Sequence, residues 1–263
     1  MRLDVYLTEN GLAKSRSKAG EYISGGFVLV NGKTVTKAAF SVSEGDNIIL
    51  AGKPYDYVSR GGLKLEGALD RFGVDVTGMT ACDIGASAGG FTDCLLKRGA
   101  VKVYAIDSGR EQLDASLRAD KRVVSIEGFN ARELTYDTIH DRCGIIVSDL
   151  SFISQTYIIP VLSSVAAENA VLVSLIKPQF ECGREALNKN GIVKDKRFHI
   201  SAIKRVLSCA AENGWTPIGL MKSVIKGGDG NVEYLFLAQR NVAPDARSVL
   251  DDIRIRGVVN EEH

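Results

Sequence analysis

The fold is decided by residues 81–92, which read Ala-Cys-Asp-Ile-Gly-Ala-Ser-Ala-Gly-Gly-Phe-Thr. An apolar run that passes into a glycine-rich segment is typical of a strand that turns sharply into a helix, because glycine allows backbone conformations that other residues resist. Further apolar runs follow, separated by helical patterns, at 101–106, 123–126, 145–148 and 170–176. This alternation predicts an α/β fold in which helices cover a mostly parallel sheet.

A different pattern precedes this sheet. Residues 3–10 have helical spacing, and Ser15 is a candidate N-cap for a second helix that ends at Gly25-Gly26. Asn31-Gly32 lies between two β-rich runs and predicts a tight hairpin. We therefore expect a small N-terminal α+β domain.

The chain divides near residue 55, where glycine, proline and two tyrosines replace regular patterns. We predict a small domain over 1–51, a linker over 52–60 and a large domain over 61–263.

Composition restricts the class of protein. The chain has 263 residues, 45% of them hydrophobic, which is enough for a substantial core. The longest apolar stretch, 170–176, is far below the ~20 residues that cross a bilayer, and the first residues do not resemble a secretory signal. Five scattered cysteines without a C-x-x-C pair argue against a disulfide framework and a zinc site, so we expect a cytoplasmic protein.

Charge places a further limit on partners. The chain carries 33 Lys+Arg against 32 Asp+Glu, a net charge of +1. Any surface that binds nucleic acid must therefore be a local patch.

The glycine-rich loop predicts a cofactor site. No lysine follows Gly89 as a Walker A loop requires, and the spacing is not the G-x-G-x-x-G of dinucleotide-binding folds. An acid that opens the loop, Asp83, and an acid that ends the next strand, Asp107, suit S-adenosylmethionine. The alternative is a tight turn with a hydrogen-bonded aspartate. The predicted cofactor-binding residues are Asp83, Gly85, Ala86, Ser87, Gly89, Gly90, Phe91, Asp107, Asn130 and Asp149.

The second helix begins with an unusual charge pattern. Three cations, Lys14, Arg16 and Lys18, surround a helix N-terminus, where the macrodipole favours anions. A phosphate would complete such a site. The alternative is a solvated helix start that is basic without a ligand.

Residues 1–50 resemble the S4-type RNA-binding domain. The matching residues are Arg2-Leu3-Asp4, Ser15-Arg16-Ser17-Lys18-Ala19, Ile23, Gly26, Val28, Val30-Asn31-Gly32 and Gly45-Asp46. The resemblance implies binding of structured RNA through Arg2, Arg16, Lys18, Lys33 and Lys37.

Four charged residues lie where apolar residues or cleft-facing loops are expected. Lys64 lies beside a helical apolar stripe, Asp149 and Lys177 end strands, and Glu233 lies in the predicted strand 232–237. Charged groups are costly to bury unless they pair, and two lysines with two carboxylates form a neutral set. The alternative is four unrelated surface charges.

The same four residues match the Lys-Asp-Lys-Glu tetrad of FtsJ/RrmJ-like ribose 2′-O-methyltransferases, and the whole chain resembles the TlyA family. The motifs that carry the resemblance are 57–65, 83–92, 149–154, 175–181, 191–195 and 230–234. The expected fold is thus a small N-terminal α+β S4-type domain followed in sequence by a Rossmann-like class I S-adenosylmethionine methyltransferase sheet. The resemblance implies 2′-O-methylation of cytidine in ribosomal RNA: 23S in the 50S subunit and, for some members, 16S in the 30S subunit. Family members also carry an old "hemolysin" label.

The resemblance also implies roles for individual residues. Lys177 would contact the 2′-oxygen and assist its deprotonation, with Lys64 close by. Asp149 would orient Lys177 near the methyl donor, and Glu233 would pair with Lys64 and hold the target. No metal is expected, because the sulfonium methyl is already electrophilic. Arg60 would contact RNA, and Phe152 would either stack on an extruded base or lie in the core.

Three other functions compete with this hypothesis. A non-catalytic ribosome-binding or assembly factor would not need the four tetrad residues. A membrane-lytic protein would need an amphipathic or spanning segment. A methyltransferase acting on an exocyclic amine would carry an Asn-Pro-Pro-Tyr type loop after the fourth strand, which is absent from the sequence.

Overall fold

A computed structural model describes residues 1–51, 55–242 and 251–261 of the protein. The chain divides into two compact units, a small unit, Met1–Asp56, and a large unit, Tyr57–His263. Residues 52–54 of the predicted linker lie outside the described residues. The boundaries 1–51, 52–60 and 61–263 stay a prediction.

The small unit packs two helices against a three-stranded antiparallel sheet. Its elements are α1 Leu3–Glu9, α2 Arg16–Ser24, β1 Val28–Val30, β2 Lys33–Thr34 and β3 Ile48–Leu50, with the strands in the order β2-β1-β3. Asn31 and Gly32 both have positive φ, 51° and 77°, as the mirror-image turn of a two-residue hairpin requires. Its core comprises Leu3, Leu7, Ala13, Ala19, Ile23, Val28, Val30 and Val42.

The large unit contains the alternating elements that the apolar runs predict. Its helices are α3 Gly61–Phe72, α4 Gly90–Lys97, α5 Ala115–Arg118, α6 Tyr136–Ile139, α7 Ile159–Leu162, α8 Pro178–Glu181, α9 Lys196–Glu212 and α10 Asp252–Asn260. Its strands are β4 Thr80–Ile84, β5 Lys102–Asp107, β6 Val123–Glu127, β7 Cys143–Ser148, β8 Ala166–Ile176, β9 Trp215–Lys222 and β10 Tyr234–Arg240.

These seven strands form one sheet in the order β6-β5-β4-β7-β8-β10-β9. Strands β4 to β8 are parallel, and β10 runs antiparallel to both β8 and β9. The predicted fold class is therefore confirmed. The strand order reverses between β4 and β7, and ligands of open α/β sheets bind in the crevice at such a point.

Two apolar clusters cover the faces of this sheet. One includes Ile146, Leu172 and Trp215, and the other includes Leu65, Leu95 and Val147. Successive residues of β7, Ile146 and Val147, belong to opposite clusters because strand side chains alternate between faces. This packing explains why the central strands are continuously apolar.

One predicted element is wrong in detail. Strand β10 begins at Tyr234, so Glu233 precedes the strand and does not lie in it. Among the residues that the structure describes, no helix combines the length and apolar character that crossing a membrane requires.

Candidate active site

The four predicted tetrad residues come from four elements of the large unit. Lys64 lies in the first turns of α3, Asp149 directly follows β7, and Lys177 directly follows β8. Glu233 immediately precedes β10, which is antiparallel to β8. Glu233 and Lys177 therefore lie at the same edge of the sheet. Topology thus brings together side chains that are up to 169 residues apart.

The tetrad forms a chain of alternating charge. Lys64 Nζ donates to Glu233 Oε2 over 2.6 Å and lies 3.6 Å from Asp149 Oδ2. Lys177 Nζ lies 2.6 Å from Asp149 Oδ1. Asp149 therefore lies between the two lysines, and Glu233 compensates the charge of Lys64.

The four tetrad side chains are largely shielded from solvent. The side chains of Lys64 and Glu233 are only 7% and 3% exposed. Burial acts to raise the pKa of Asp149, but Lys64 and Lys177 more than offset this effect and hold the pKa below its usual value. Asp149 is therefore ionised at neutral pH.

Lys177 has two further neighbours. Its Nζ donates to Ser151 Oγ over 3.0 Å and lies 5.9 Å from the centre of the Phe180 ring. Sequence reasoning gave Ser151 no role. It belongs to the motif 149–154, but nothing in a lone serine indicates contact with a residue 26 positions away.

A cleft of about 410 Å³ opens beside the tetrad. Five predicted cofactor-binding residues line the cleft, namely Gly85, Ser87, Asp107, Asn130 and Asp149. Further lining residues that the sequence analysis missed are Ser108, Gln112, Phe129, Leu150, Ser151 and Ile158.

The other five predicted cofactor-binding residues do not line the cleft. Asp83, Ala86, Gly89, Gly90 and Phe91 are all buried in the loop and the start of α4 behind it. Their contact with the cofactor stays a prediction. They belong to the framework of the loop, since tight strand-to-helix turns need small or apolar residues whether or not these face the ligand.

Asp83 is the clearest example of a residue that is buried behind the cleft. It is fully buried, and Oδ2 accepts a hydrogen bond from Thr92 Oγ1 over 2.7 Å. Within the residues described, Oδ1 has no hydrogen-bond partner. Burial raises the pKa of Asp83 to about 7, and the Thr92 bond offsets this only in part. Asp83 therefore lies behind the loop, not at its mouth.

The rim of the cleft offers hydrogen-bond acceptors to a ligand. Oδ2 of Asp107 accepts from the backbone N–H of Ser87 over 2.8 Å, and Oδ1 accepts from Gly109 N–H over 2.7 Å. Each carboxylate oxygen keeps acceptor capacity for a ribose hydroxyl. Gly85 has φ +83°, and a Cβ there would lie 2.8 Å from the carbonyl oxygen of Asp149. Only glycine leaves that space open.

Asn130 also lines the cleft and has internal hydrogen-bond partners. Its Oδ1 accepts from Arg132 N–H over 3.2 Å, and its Nδ2 donates to Glu133 Oε1 over 3.2 Å. Glu127, which the sequence analysis did not select, accepts the backbone N–H groups of residues 111–113. These bonds stabilise the loop that follows β5.

Phe152 lies beside the cleft and is 90% exposed. Its backbone φ is +65°, which is strained for an aromatic residue, and its ring centre lies 5.1 Å from that of Phe180. The alternative that Phe152 belongs to the core is wrong.

A buried carboxylate that the sequence analysis left without a role joins the loop that carries Asp149 to the loop that carries Lys177. Glu181 Oε1 accepts from Gln155 N–H over 2.8 Å, and Oε2 accepts from Ser154 Oγ over 2.5 Å. Burial raises the pKa of Glu181. The bonds tie the loop after Asp149 to the turn after Lys177.

The residues predicted to bind RNA lie in both units. In the small unit, Lys33 and Lys37 are exposed, while Lys18 Nζ donates to Tyr55 Oη over 2.7 Å. In the large unit, the Arg60 guanidinium donates to the backbone carbonyl of Lys226.

Arg2 and Arg16 are both bonded to Asp4. An internal anion therefore accompanies the basic start of α2.

The described ranges contain no cluster of His, Cys, Asp or Glu residues suited to hold a metal ion. The cysteines are free.

Comparison with known proteins follows the division into two units. Residues 57–240 match the model of the FtsJ-like methyltransferases, and residues 1–48 match the S4 domain. The protein named Hemolysin A of Brachyspira hyodysenteriae is 45% identical over 89% of this chain and 98% of its own length. The protein of Mycobacterium tuberculosis named 16S/23S rRNA (cytidine-2′-O)-methyltransferase TlyA is 42% identical over 89% of this chain and 87% of its own. A solved structure from Streptococcus thermophilus has a TM-score of 0.78 at 38% identity, covering 98% of this chain and 94% of that one.

Proposed function

This chain belongs to the family of FtsJ-like methyltransferases and carries an S4 domain, and we propose that it methylates the 2′-hydroxyl of a cytidine ribose in ribosomal RNA. The methyl donor in this proposal is S-adenosylmethionine. The relative from Mycobacterium tuberculosis carries the name of that activity.

The observation that most supports the proposal is the series of ion pairs that links Glu233, Lys64, Asp149 and Lys177 beside the cleft. Such a set of sheltered ionisable side chains is costly to assemble, because charges that leave water must be desolvated and then paired. A non-catalytic assembly factor would have no use for it. A hydroxyl target explains it, since a hydroxyl needs a base while an exocyclic amine needs a polar loop that this chain lacks.

The cleft supports S-adenosylmethionine as the cofactor. Asp107 would accept the ribose hydroxyls, Gly85 and Ser87 would lie against the ligand, and Asn130 would lie on the adenine side. When bound, S-adenosylmethionine supplies an electrophilic methyl group, which leaves activation of the target oxygen to the protein.

Lys177 is the residue we assign to that activation. Its Nζ, as the neutral amine, would contact the 2′-oxygen and take up the hydroxyl proton as the oxygen bonds to the methyl carbon and the methyl–sulfur bond of the donor breaks, which leaves a thioether. Asp149 and Ser151 fix the position of Nζ at 2.6 and 3.0 Å. Lys64, held by Glu233, places a second cation next to Asp149 to stabilise developing negative charge.

Phe152 is suited to hold the target nucleotide. Its exposed ring lies beside the cleft and has Phe180 at its side. An enzyme that modifies a nucleotide within folded RNA has to extrude it from the stack, and an aromatic platform lowers the cost of that step. We therefore assign Phe152 to stacking on the target base or its neighbour.

The small unit would supply affinity for folded RNA. Arg2, Arg16, Lys18, Lys33 and Lys37 would contact its phosphates, and Arg60 would contribute from the large unit. The proposed partners are the 50S subunit and, as the name of the Mycobacterium tuberculosis relative suggests, the 30S subunit. A substrate in ribosomal subunits supports a cytoplasmic location for the enzyme.

The test is transfer of labelled methyl from S-adenosylmethionine to purified 30S and 50S subunits that lack the modification. Nuclease digestion then locates the label on ribose or base. We expect label on a cytidine 2′-oxygen. Lys177→Ala should reduce transfer by ~10²-fold or more, the scale of general base catalysis, and leave subunit binding intact. Lys121→Ala, at an exposed lysine of the same unit, is the matched control and should transfer at the wild-type rate.

The competing functions give different results. Label on a base would indicate an amine-directed methyltransferase. Cofactor binding without transfer to either subunit would point to free precursor RNA as the substrate. Subunit binding without cofactor binding would identify an assembly factor and overturn the proposal.

A further inference from the structure

A carboxylate lies at the centre of the surface we assign to RNA binding. Asp4 is buried, with its side chain only 6% exposed, yet it lies between two arginines whose side chains are 52% and 62% exposed. An acid in this position should weaken binding of a polyanion if charges simply add. Its presence therefore needs a reason.

The bonds of Asp4 to the two arginines are directional. Arg2 uses Nε and Nη2 against Oδ1 and Oδ2, at 2.9 and 3.2 Å. Arg16 uses Nε and Nη2 against Oδ2, at 3.3 and 2.9 Å. A guanidinium has five N–H donors in a rigid fork, so binding along the Nε edge leaves the Nη1 edge of each arginine available to an external acceptor.

The backbones that carry these side chains are also held. Arg2 pairs with Ser41 in an isolated antiparallel bridge, and the N–H of Asp4 donates to the carbonyl of Ala38 over 3.2 Å. Arg16 is the first residue of α2, which is capped by Ser15. The backbones of Asp4 and of the two arginines that bind its carboxylate are therefore all held in place.

The carboxylate keeps its charge under all ordinary conditions. Hydrogen bonds from Arg2 and Arg16 hold the pKa of Asp4 well below its usual value. The cluster of two arginines and one aspartate therefore has a net charge of +1 and stays attractive to phosphate.

We propose that Asp4 is a positioning residue for RNA recognition, which holds Arg2 and Arg16 as a preformed two-arginine clamp for RNA phosphates. This inference rests on the proposed function, because it concerns the same RNA-binding surface. Arginine is suited to bidentate recognition of phosphate, and its long side chain is costly to immobilise at the moment of binding. Asp4 immobilises both arginines before RNA arrives, so its benefit exceeds the repulsion of its single charge.

Removing the charge of Asp4 should weaken RNA binding, although charge alone would predict tighter binding. Asp4→Asn raises the net charge of the small unit by one and keeps the side chain's size, yet it should weaken binding to unmodified ribosomal subunits by about tenfold. That factor corresponds to freeing two arginine side chains at a modest cost each. The matched control is Glu9→Gln, which removes the same charge from an exposed position on α1 and should bind as tightly as wild type or more tightly.

A second variant tests the geometry without touching the buried acid. Arg16→Lys keeps the cation but loses the guanidinium fork, so it should also weaken binding. In the Arg16→Lys background, the further change Asp4→Asn should cost less than it does alone, because the two residues act as a unit. Thermal melting of each variant by circular dichroism shows whether the small unit remains folded.

Binding of full-length protein to 30S and 50S subunits is measured by filter retention over a series of salt concentrations. Weaker binding by folded Asp4→Asn, with Glu9→Gln unaffected, supports the clamp. Wild-type or tighter binding by folded Asp4→Asn overturns it, and so does wild-type binding by Arg16→Lys if Asp4→Asn does not remain folded. Failure of the wild-type protein to bind either subunit would instead contradict the proposed function, so the two failures are distinguishable.

Discussion

Phe152 combines an exposed aromatic ring with a backbone conformation that costs free energy. A φ of +65° at a non-glycine residue is strained, and 90% exposure of a phenylalanine forgoes the gain of burial. Strain of this kind persists where the surrounding structure holds it, and such sites often have a role in ligand binding. At the residue scale, Phe152 is the clearest sign that this edge of the cleft contacts a partner.

We predict that Phe152→Ala lowers the single-turnover rate of methyl transfer by roughly tenfold or more, since stacking on one base is worth ~1–3 kcal/mol. Affinity for whole subunits should change much less, because phosphate contacts dominate it. Phe152→Tyr should restore most of the rate. Tyr157→Ala, at a second exposed aromatic residue of the same loop region, should behave like wild type. An unchanged rate for Phe152→Ala would remove the stacking role.

Asp83 leads to a prediction about pH. Its pKa rises from 3.8 to about 7 on folding, chiefly through burial. Between these values the folded chain holds a proton that the unfolded chain has lost, so stability decreases as pH rises from about 4 to about 7. Asp83→Asn cannot ionise and should lack this part of the decrease.

The measurement is urea unfolding at pH 5 and at pH 8. The loss of unfolding free energy between the two pH values should be smaller for Asp83→Asn than for wild type. Asp137→Asn, at an exposed aspartate of the same unit, should keep the wild-type difference. Equal differences for Asp83→Asn and wild type would mean that Asp83 is ionised throughout this range.

At the scale of elements, the site depends on two loops that leave neighbouring parallel strands. Asp149 follows β7 and Lys177 follows β8, and the two strands pair in register up to Ser148 and Ser174. The strands bring the loops close, but side-chain bonds decide their final conformation. Glu181 supplies those bonds through Ser154 and Gln155.

We predict that Glu181→Ala lowers kcat by about tenfold at saturating substrate, because it leaves the buried Gln155 N–H without its acceptor and removes the bond from Ser154 Oγ. Glu181→Gln should recover much of the rate, since its amide oxygen can still accept from Gln155. Initial-rate kinetics with ribosomal subunits provide the measurement. Glu185→Ala, at an exposed acid nearby in sequence, should have wild-type kcat. Equal loss in the Gln and Ala variants would show that charge, not hydrogen bonding, is what Glu181 contributes.

At the scale of the whole molecule, each unit has its own core. Eight buried side chains form the core of Met1–Asp56, while two larger clusters cover the faces of the sheet in the other unit. Small domains bury a smaller fraction of their surface and are correspondingly less stable. The two units should therefore unfold in separate steps.

Calorimetry tests this expectation. We predict two transitions, and S-adenosylhomocysteine at 100 times its Kd should stabilise only the one that belongs to the large unit, by about 2.7 kcal/mol. The cleft residues all lie in that unit. A single transition that shifts as a whole on ligand addition would show instead that the two units unfold cooperatively.

Much of this protein follows from sequence alone. The alternation of apolar runs with helical patterns predicts the parallel sheet, and Asn31-Gly32 predicts the hairpin, because both signals depend on contacts that are local in sequence. The family matches and the fold confirm the resemblances to the S4 domain and to FtsJ-like methyltransferases. The tetrad residues could be named in advance because Asp149 and Lys177 end predicted strands and all four residues match the tetrad of the family, although their roles stay proposals.

Tertiary structure decided the rest. Which loop residues face the cleft depends on the direction of each side chain after the turn at Gly85, and spacing alone does not show that Asp83 lies buried behind the loop. The partnerships of Asp4 with Arg16 and of Glu181 with Gln155 join segments that sequence patterns treat separately. Periodicity reports which face of an element is buried, but a hydrogen bond between distant residues forms only once packing has fixed both backbones.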